Sequence, residues 1–234
     1  MSVGGIRKEL RTEASLENAK ILQRFFKTGP GEYGEGDRFL GIRVPVLRSI
    51  AQKYQSLDLK KVEALLHSGI HEERLVALFI ITHQFEKGDE SSRKKIFDFY
   101  LKNTEHINNW DLIDLSCHKI MGAYLFDKKR DALYKLAHSM SLWERRMAIM
   151  ATFYFIRNND FKDALKISET LLEDKHDLIH KAVGWMLREL GKRDVGLLEV
   201  FLKKHYETIP RTMLRYAIER FPEKKRKAYL YGNI

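Results

Sequence analysis

The sequence predicts an all-α chain. Apolar residues return every three to four positions almost throughout, alternating β-branched runs are scarce, and strands are needed nowhere. A hydrophobic content of 44% over 234 residues is too high for a disordered chain, and 14 glycines and 4 prolines are too few for collagen, a low-complexity chain or a turn-rich β-sandwich.

The periodicity places helices at about 8–27, 43–55, 58–67, 71–86, 90–101, 108–126, 129–137, 141–156, 160–172, 176–190, 194–206, 211–219 and 223–229. Their stops are local. Gly88 closes one helix, Gly191 with Lys192 and Arg193 another, and Pro210 and Pro222 stand at or near helix starts. Between the first two helices, Gly29, Gly31, Gly34, Gly36 and Gly41, with Pro30 and Pro45 nearby, make a Gly-rich connecting loop over 29–42. A phosphate-cradling loop would need Lys-Ser/Thr after its last glycine and a strand before its first. Here Ile42-Arg43 follow and a helix precedes, so a connector is the better reading.

The helices also repeat. Ala148, Ala182 and Ala217 sit mid-helix about 35 residues apart, and Ala77 lies two such periods before Ala148, with an irregular unit around Asp114 between them. A helix pair at that period is the signature of a solenoid whose units bury their apolar faces only against one another. The expectation is therefore a right-handed α-solenoid forming a single domain over 1–234.

The net charge of +10 favours polyanionic partners through phosphate neutralisation, although ribosome-associated and merely soluble basic proteins share that excess. A lone cysteine, Cys117, excludes an internal disulfide and a Cys-x-x-Cys metal site, and fits the reducing cytosol. The charged start MSVGGIRKELRTEA lacks an apolar signal core, and no apolar run approaches the ~18 residues of a membrane span. A cytoplasmic chain with no membrane partner is expected.

Three helices carry residues that packing does not require. In LIHKAVGWMLREL the apolar arc is Ile179, Ala182, Val183, Met186 and Leu190, and Trp185 falls roughly 110° from its centre, with Lys181 and Arg188 as helical neighbours. An aromatic on a cationic flank suits stacking on a base or sugar beside phosphates; burial against the next repeat is the competing reading. In NNWDLIDLSCHKIMGAYLF the core stripe is Ile113, Cys117, Ile120 and Tyr124, while Trp110 and Asp114 lie at i and i+4 along its edge. Asp111 suits the helix start, where negative charge is favourable; Asp114 is too far in for that role. In WERRMAIMATFYFI, Arg146 lies in line with Met150 and Phe153 and must find a carboxylate or phosphate, Asp114 being one partner to test. Trp143 reads as packing.

The segments NNWDLID, LWERRMAI and KAVGWMLRE, in that order, with GEGDRFLGIRVPVLR near the front, resemble the AlkD-type DNA glycosylases, the HEAT-like-repeat DNA alkylation repair enzymes. The resemblance covers nearly the whole chain. It implies HEAT-like repeats with a basic concave face for duplex DNA, and excision of N3- and N7-alkylated purines by hydrolysis of the N-glycosidic bond, without a metal and without base flipping, unlike most glycosylases. Carried over by motif, Trp110 and Trp185 match the tryptophans around the lesion, Asp114 the catalytic carboxylate and Arg146 the arginine of the same site. Relatives can carry a tyrosine where LQRFFKTG stands, which leaves Phe25 and Phe26 as candidates with neither assigned.

These residue types suit the chemistry. A purine alkylated at N3 or N7 is already a cationic leaving group, and its loss spreads positive charge onto the sugar. A carboxylate can stabilise that charge and activate water, by analogy with glycoside hydrolysis. Neither a cofactor nor a nucleophilic amine is required, so the expected product is an abasic site from a monofunctional enzyme acting as a monomer, with Lys181 and Arg188 on DNA. His176 and His180 share an i, i+4 spacing, but Asp177 replaces the Glu of a metalloprotease helix and no third ligand follows, so no metal is expected. Gly69 is expected to break the helix between His67 and His71, and Cys117 reads as a buried small hydrophobe. Two other classes stay open: a non-catalytic module gripping branched or damaged DNA, and a protein-binding solenoid whose charge serves solubility.

Overall fold

Ser15 divides the first stretch of helical periodicity in two. Its hydroxyl accepts the amide of Asn18 at 3.3 Å and its own amide donates to the carbonyl of Leu40 at 2.8 Å. Two helices therefore form where the sequence suggested one, α1 (Val3–Thr12) and α2 (Leu16–Phe25). The structure, a computed structural model, describes residues 1–233. It is all-α. Among the described residues extended backbone pairs only at an isolated bridge between Arg38 and Ile70, and no helix is long and apolar enough to cross a membrane.

The further helices are α3 (Val44–Lys53), α4 (Leu59–Leu66), α5 (His71–Lys87), α6 (Glu90–Lys102), α7 (Trp110–Cys117), α8 (Ala123–Leu125), α9 (Asp131–Ala137), α10 (Leu142–Arg157), α11 (Lys162–Thr170), α12 (Asp177–Gly191), α13 (Val195–Lys204), α14 (Arg211–Ala217) and α15 (Glu223–Tyr231). Asp58, Asp89, Ser141 and Asp194 cap their helices through side-chain oxygens that accept orphan amides of the first turn. Pro210 and Pro222 occupy the capping position itself. Gly191 lies inside α12 rather than ending it, and Lys192 forms the cap.

One element departs from the periodicity. The helix expected over 108–126 contains a π-turn at His118–Gly122, between α7 and α8. Its extra residue shifts the register, so Leu125 is buried where Tyr124 was expected to follow Ile113, Cys117 and Ile120, and Tyr124 is only half-buried.

Contacts gather into two compact units, Met1–Ser116 and the chain from Cys117 onward. In the first, α5 is buried continuously from His71 to Thr82 because α1, α3, α4 and α6 pack around it. In the second, α10 plays that part among α9, α11 and α12, and α12 packs in turn on α14. Gly184 lets those last two helices meet: a Cβ there would run into the carbonyl of Met213 and lie 2.5 Å from Cβ of Tyr216. Arg130 ties α9 to α10 and α11, stacking 4.0 Å above the Phe155 ring while Nη1 donates to Asp160 at 2.7 Å and Asp163 at 2.5 Å.

The 29–42 loop is folded more tightly than a connector requires. The buried carboxylate of Glu72 accepts the amides of Leu40 (2.9 Å), Gly41 (2.8 Å) and Ile42 (3.3 Å), satisfying backbone donors that no helix or sheet serves. Gly41 has φ +84, and a Cβ at this position would meet the carbonyl of Ser15 and lie 2.5 Å from the amide of Ala19. Gly41→Ala should therefore destabilise the fold by about 2–4 kcal/mol, read as a lowered midpoint in thermal or denaturant unfolding.

Candidate active site

The first turn of α7 is fixed by the side chains that precede and follow it. Oδ1 of Asn109 accepts the amide of Trp110 at 2.8 Å, and Oδ1 of Asp111 accepts that of Leu112 at 2.8 Å. Asp111 thus serves the helix start, as its place in the sequence suggested, and its other oxygen does something more. Oδ2 accepts Nε2 of His71 at 2.8 Å, while Nδ1 of the same ring donates to Oδ2 of Asp37 at 3.0 Å. Asp37 comes from the Gly-rich loop. It also accepts Nη2 of Arg74 at 2.5 Å and Nδ2 of Asn109 at 3.2 Å. Two carboxylates, an imidazole and a guanidinium are therefore shut into one cluster, all under a tenth exposed.

Both ring nitrogens of His71 face carboxylate oxygens, and only the imidazolium can donate to both. Burial alone would push this imidazole down; the charge and hydrogen bond of Asp111, with those of Asp37, outweigh it and raise His71 to about 9. Burial raises Asp37, but the His71 and Arg74 contacts prevail and hold it below its ordinary value. The stability carried by the His71 charge is complete below its unfolded value of 6.5 and is lost as pH climbs through about 9. It amounts to about 3 kcal/mol. Unfolding midpoints should fall between pH 7 and 9.5, and His71→Gln should flatten that part of the profile.

Aromatic rings join this cluster to the indole. Phe39 stacks on His71 at 4.5 Å and on Phe26 at 5.0 Å, and Phe26 stacks on Trp110 at 4.9 Å with the planes 18° apart. Phe25 meets Trp110 edge-on at 5.8 Å and is 61% exposed. The two candidate phenylalanines are thus distinguished: Phe26 is buried support behind the indole, and Phe25 is the ring that solvent reaches. Trp110 and Asp114, one turn apart on α7, are both half-buried.

The other candidates belong to the second unit. Arg146, 5% exposed on α10, donates from Nη1 to the carbonyl of Leu178 at 2.6 Å, at the start of α12. Trp185 is half-buried, 5.9 Å from Phe153, and its Nε1 donates to Oε1 of Glu189 at 3.2 Å. Glu189, also held by Lys192 at 2.6 Å, is an anchor that sequence reading passed over despite its i+4 position. Lys181 pairs with Asp177 at 2.7 Å and Arg188 pairs with Glu219. Neither cation is idle, so a phosphate would have to exchange for a carboxylate. His176 and His180 are engaged locally. Nδ1 of His176 accepts the amide of Leu178 at 3.1 Å, and Nε2 of His180 donates to the carbonyl of Asp174 at 2.5 Å. His67 caps the end of α4 and His71 opens α5, so the helix breaks between them as Gly69 implied. Cys117 is buried.

These features define an all-helical protein that carries an indole and a carboxylate one turn apart on a helix whose first turn is locked by buried charges. A family model described as DNA alkylation repair enzyme matches residues 6–221, and the chain belongs to that family. Among solved structures, a predicted DNA alkylation repair enzyme from Enterococcus faecalis is similar in fold, with a TM-score of 0.70 and 15% identity, over 90% of this chain and 98% of that one. No curated protein matches the chain. The resemblance read from NNWDLID, LWERRMAI and KAVGWMLRE is borne out at the level of the family.

Proposed function

We propose that the protein is a monofunctional DNA glycosylase that removes N3- and N7-alkylated purines from duplex DNA without turning the base out of the helix, acting as a monomer on DNA in the cytoplasm. The observation that carries this reading is the pairing of Trp110 and Asp114 on α7 in a chain of the DNA alkylation repair family. In the reaction the bond from C1′ to the purine nitrogen breaks and its electron pair neutralises the cationic ring. Water adds to C1′ and its proton passes to Asp114, whose negative charge stabilises the sugar cation as it forms. By the motif match Trp110 and Trp185 each offer an indole face to the electron-poor sugar or lesion, through CH–π and cation–π contact worth about 0.5–2 kcal/mol apiece. Arg146, Lys181 and Arg188 serve the phosphates. The roles of Trp185 and Arg146 rest on the motif match.

The test is direct. Purified protein incubated with methylated duplex DNA, with no metal added, is expected to release 7-methylguanine or 3-methyladenine and leave an abasic site without cutting the strand. Release of neither base, alongside intact duplex binding, would leave a non-catalytic DNA-binding module in place of the enzyme.

A further inference from the structure

We propose that His71, clamped through both ring nitrogens between Asp37 and Asp111, is a positioning residue for the reaction at α7, setting the orientation of Trp110 and Asp114 without touching substrate. The inference rests on the glycosylase reading above and extends it to a residue outside the reacting groups.

Two independent lines of contact run from His71 to the indole. The first is polar. Nε2 of His71 holds Asp111, whose Oδ1 caps Leu112, and Nδ1 holds Asp37, which also binds Asn109, the residue whose Oδ1 accepts the Trp110 amide. The amides of Trp110 and Leu112 are therefore both gripped by side chains that His71 and Asp37 hold from behind. The second is aromatic: Phe39 and Phe26 lie against the imidazole at 4.5 and 5.1 Å, and Phe26 carries Trp110 at 4.9 Å.

A merely stabilising ion pair would not need this arrangement. An apolar replacement of similar volume often serves a core as well as a buried pair does. What this cluster adds is a defined angle. Asp37 arrives from a loop, His71 from α5 and Asp111 from α7, and the imidazolium bridges both carboxylates. Catalysis by placement is sensitive to small displacements: an error of about 1 Å can cost a factor of about 100 in rate.

His71→Gln keeps one donor and removes both the charge and the bridge. In single-turnover assays on methylated duplex, it is expected to lower the rate of base release at least about tenfold, while affinity for unmodified duplex changes less than about threefold. In an Asp114→Asn background the same substitution should cost less than it does in the native protein, because part of its effect passes through that carboxylate. Asp111→Asn, which keeps an oxygen to cap Leu112, is the second variant and should move the rate in the same direction. An optical arm is independent of turnover. With Trp143→Phe and Trp185→Phe leaving Trp110 as the sole tryptophan, His71→Gln should raise acrylamide quenching about twofold. A wild-type release rate in His71→Gln, or unchanged quenching, overturns the proposal. So does a rate loss matched by equal losses of DNA affinity and helix content, which marks a general folding role. If the native protein releases no base at all, the glycosylase reading is what fails, and quenching alone decides whether His71 governs the placement of Trp110.

Discussion

Asp114→Asn is expected to reduce base release from methylated duplex by at least about a hundredfold, some 3 kcal/mol of transition-state stabilisation, while duplex affinity stays within about threefold of the native protein. The asymmetry follows from the chemistry. A carboxylate opposite a forming sugar cation matters most when that cation exists, so its loss falls on the rate rather than on binding. Asparagine is nearly the same shape, which removes the charge and leaves the packing of α7 alone. The measurement is a single-turnover time course with saturating protein, paired with a binding isotherm on the same duplex. Release at the native rate would move the chemistry away from this acid.

Asp37→Ala is expected to have the largest effect on stability, about 3–5 kcal/mol. It leaves His71 and Arg74, both buried, with only Asp111 as a carboxylate within the cluster, and strands the Nδ2 of Asn109. At roughly 2–4 °C per kcal/mol for a chain of this size, the melting temperature should drop by about 10 °C. Asp58→Ala is the control. That carboxylate caps α4 from the surface and should cost far less. If the two variants melt together, the buried charge cluster is not holding the loop and α7.

The helices were legible in the sequence wherever burial on one side enforced a periodic stripe. Ile179, Ala182, Val183, Met186 and Leu190 are all buried on α12, as their spacing required. The break at Ser15 and the π-turn at His118–Gly122 were not read, for different reasons. A capping serine inside an otherwise helical pattern shows itself only when its amide finds a partner, here Leu40. An inserted residue leaves composition unchanged and alters only the register, which is why the spacing points to Tyr124 while the structure buries Leu125. Of the candidate site, the Trp110 and Asp114 pair follows from helical spacing alone. The cluster behind it does not, because His71 finds its carboxylates 34 residues before it and 40 after. Asp37 lies in a Gly-rich segment with no helical period to orient its side chain, and Phe25 and Phe26, adjacent in sequence, are distinguished only by which ring the indole covers.

The hold of Glu72 on the amides of Leu40, Gly41 and Ile42 separates two properties that glycine content is often taken to join. Gly41, with φ +84, records the sharp bend the chain makes to reach one acidic side chain. That glycine does not record slackness, and a stretch that looks like a tether behaves there as a fitted bracket.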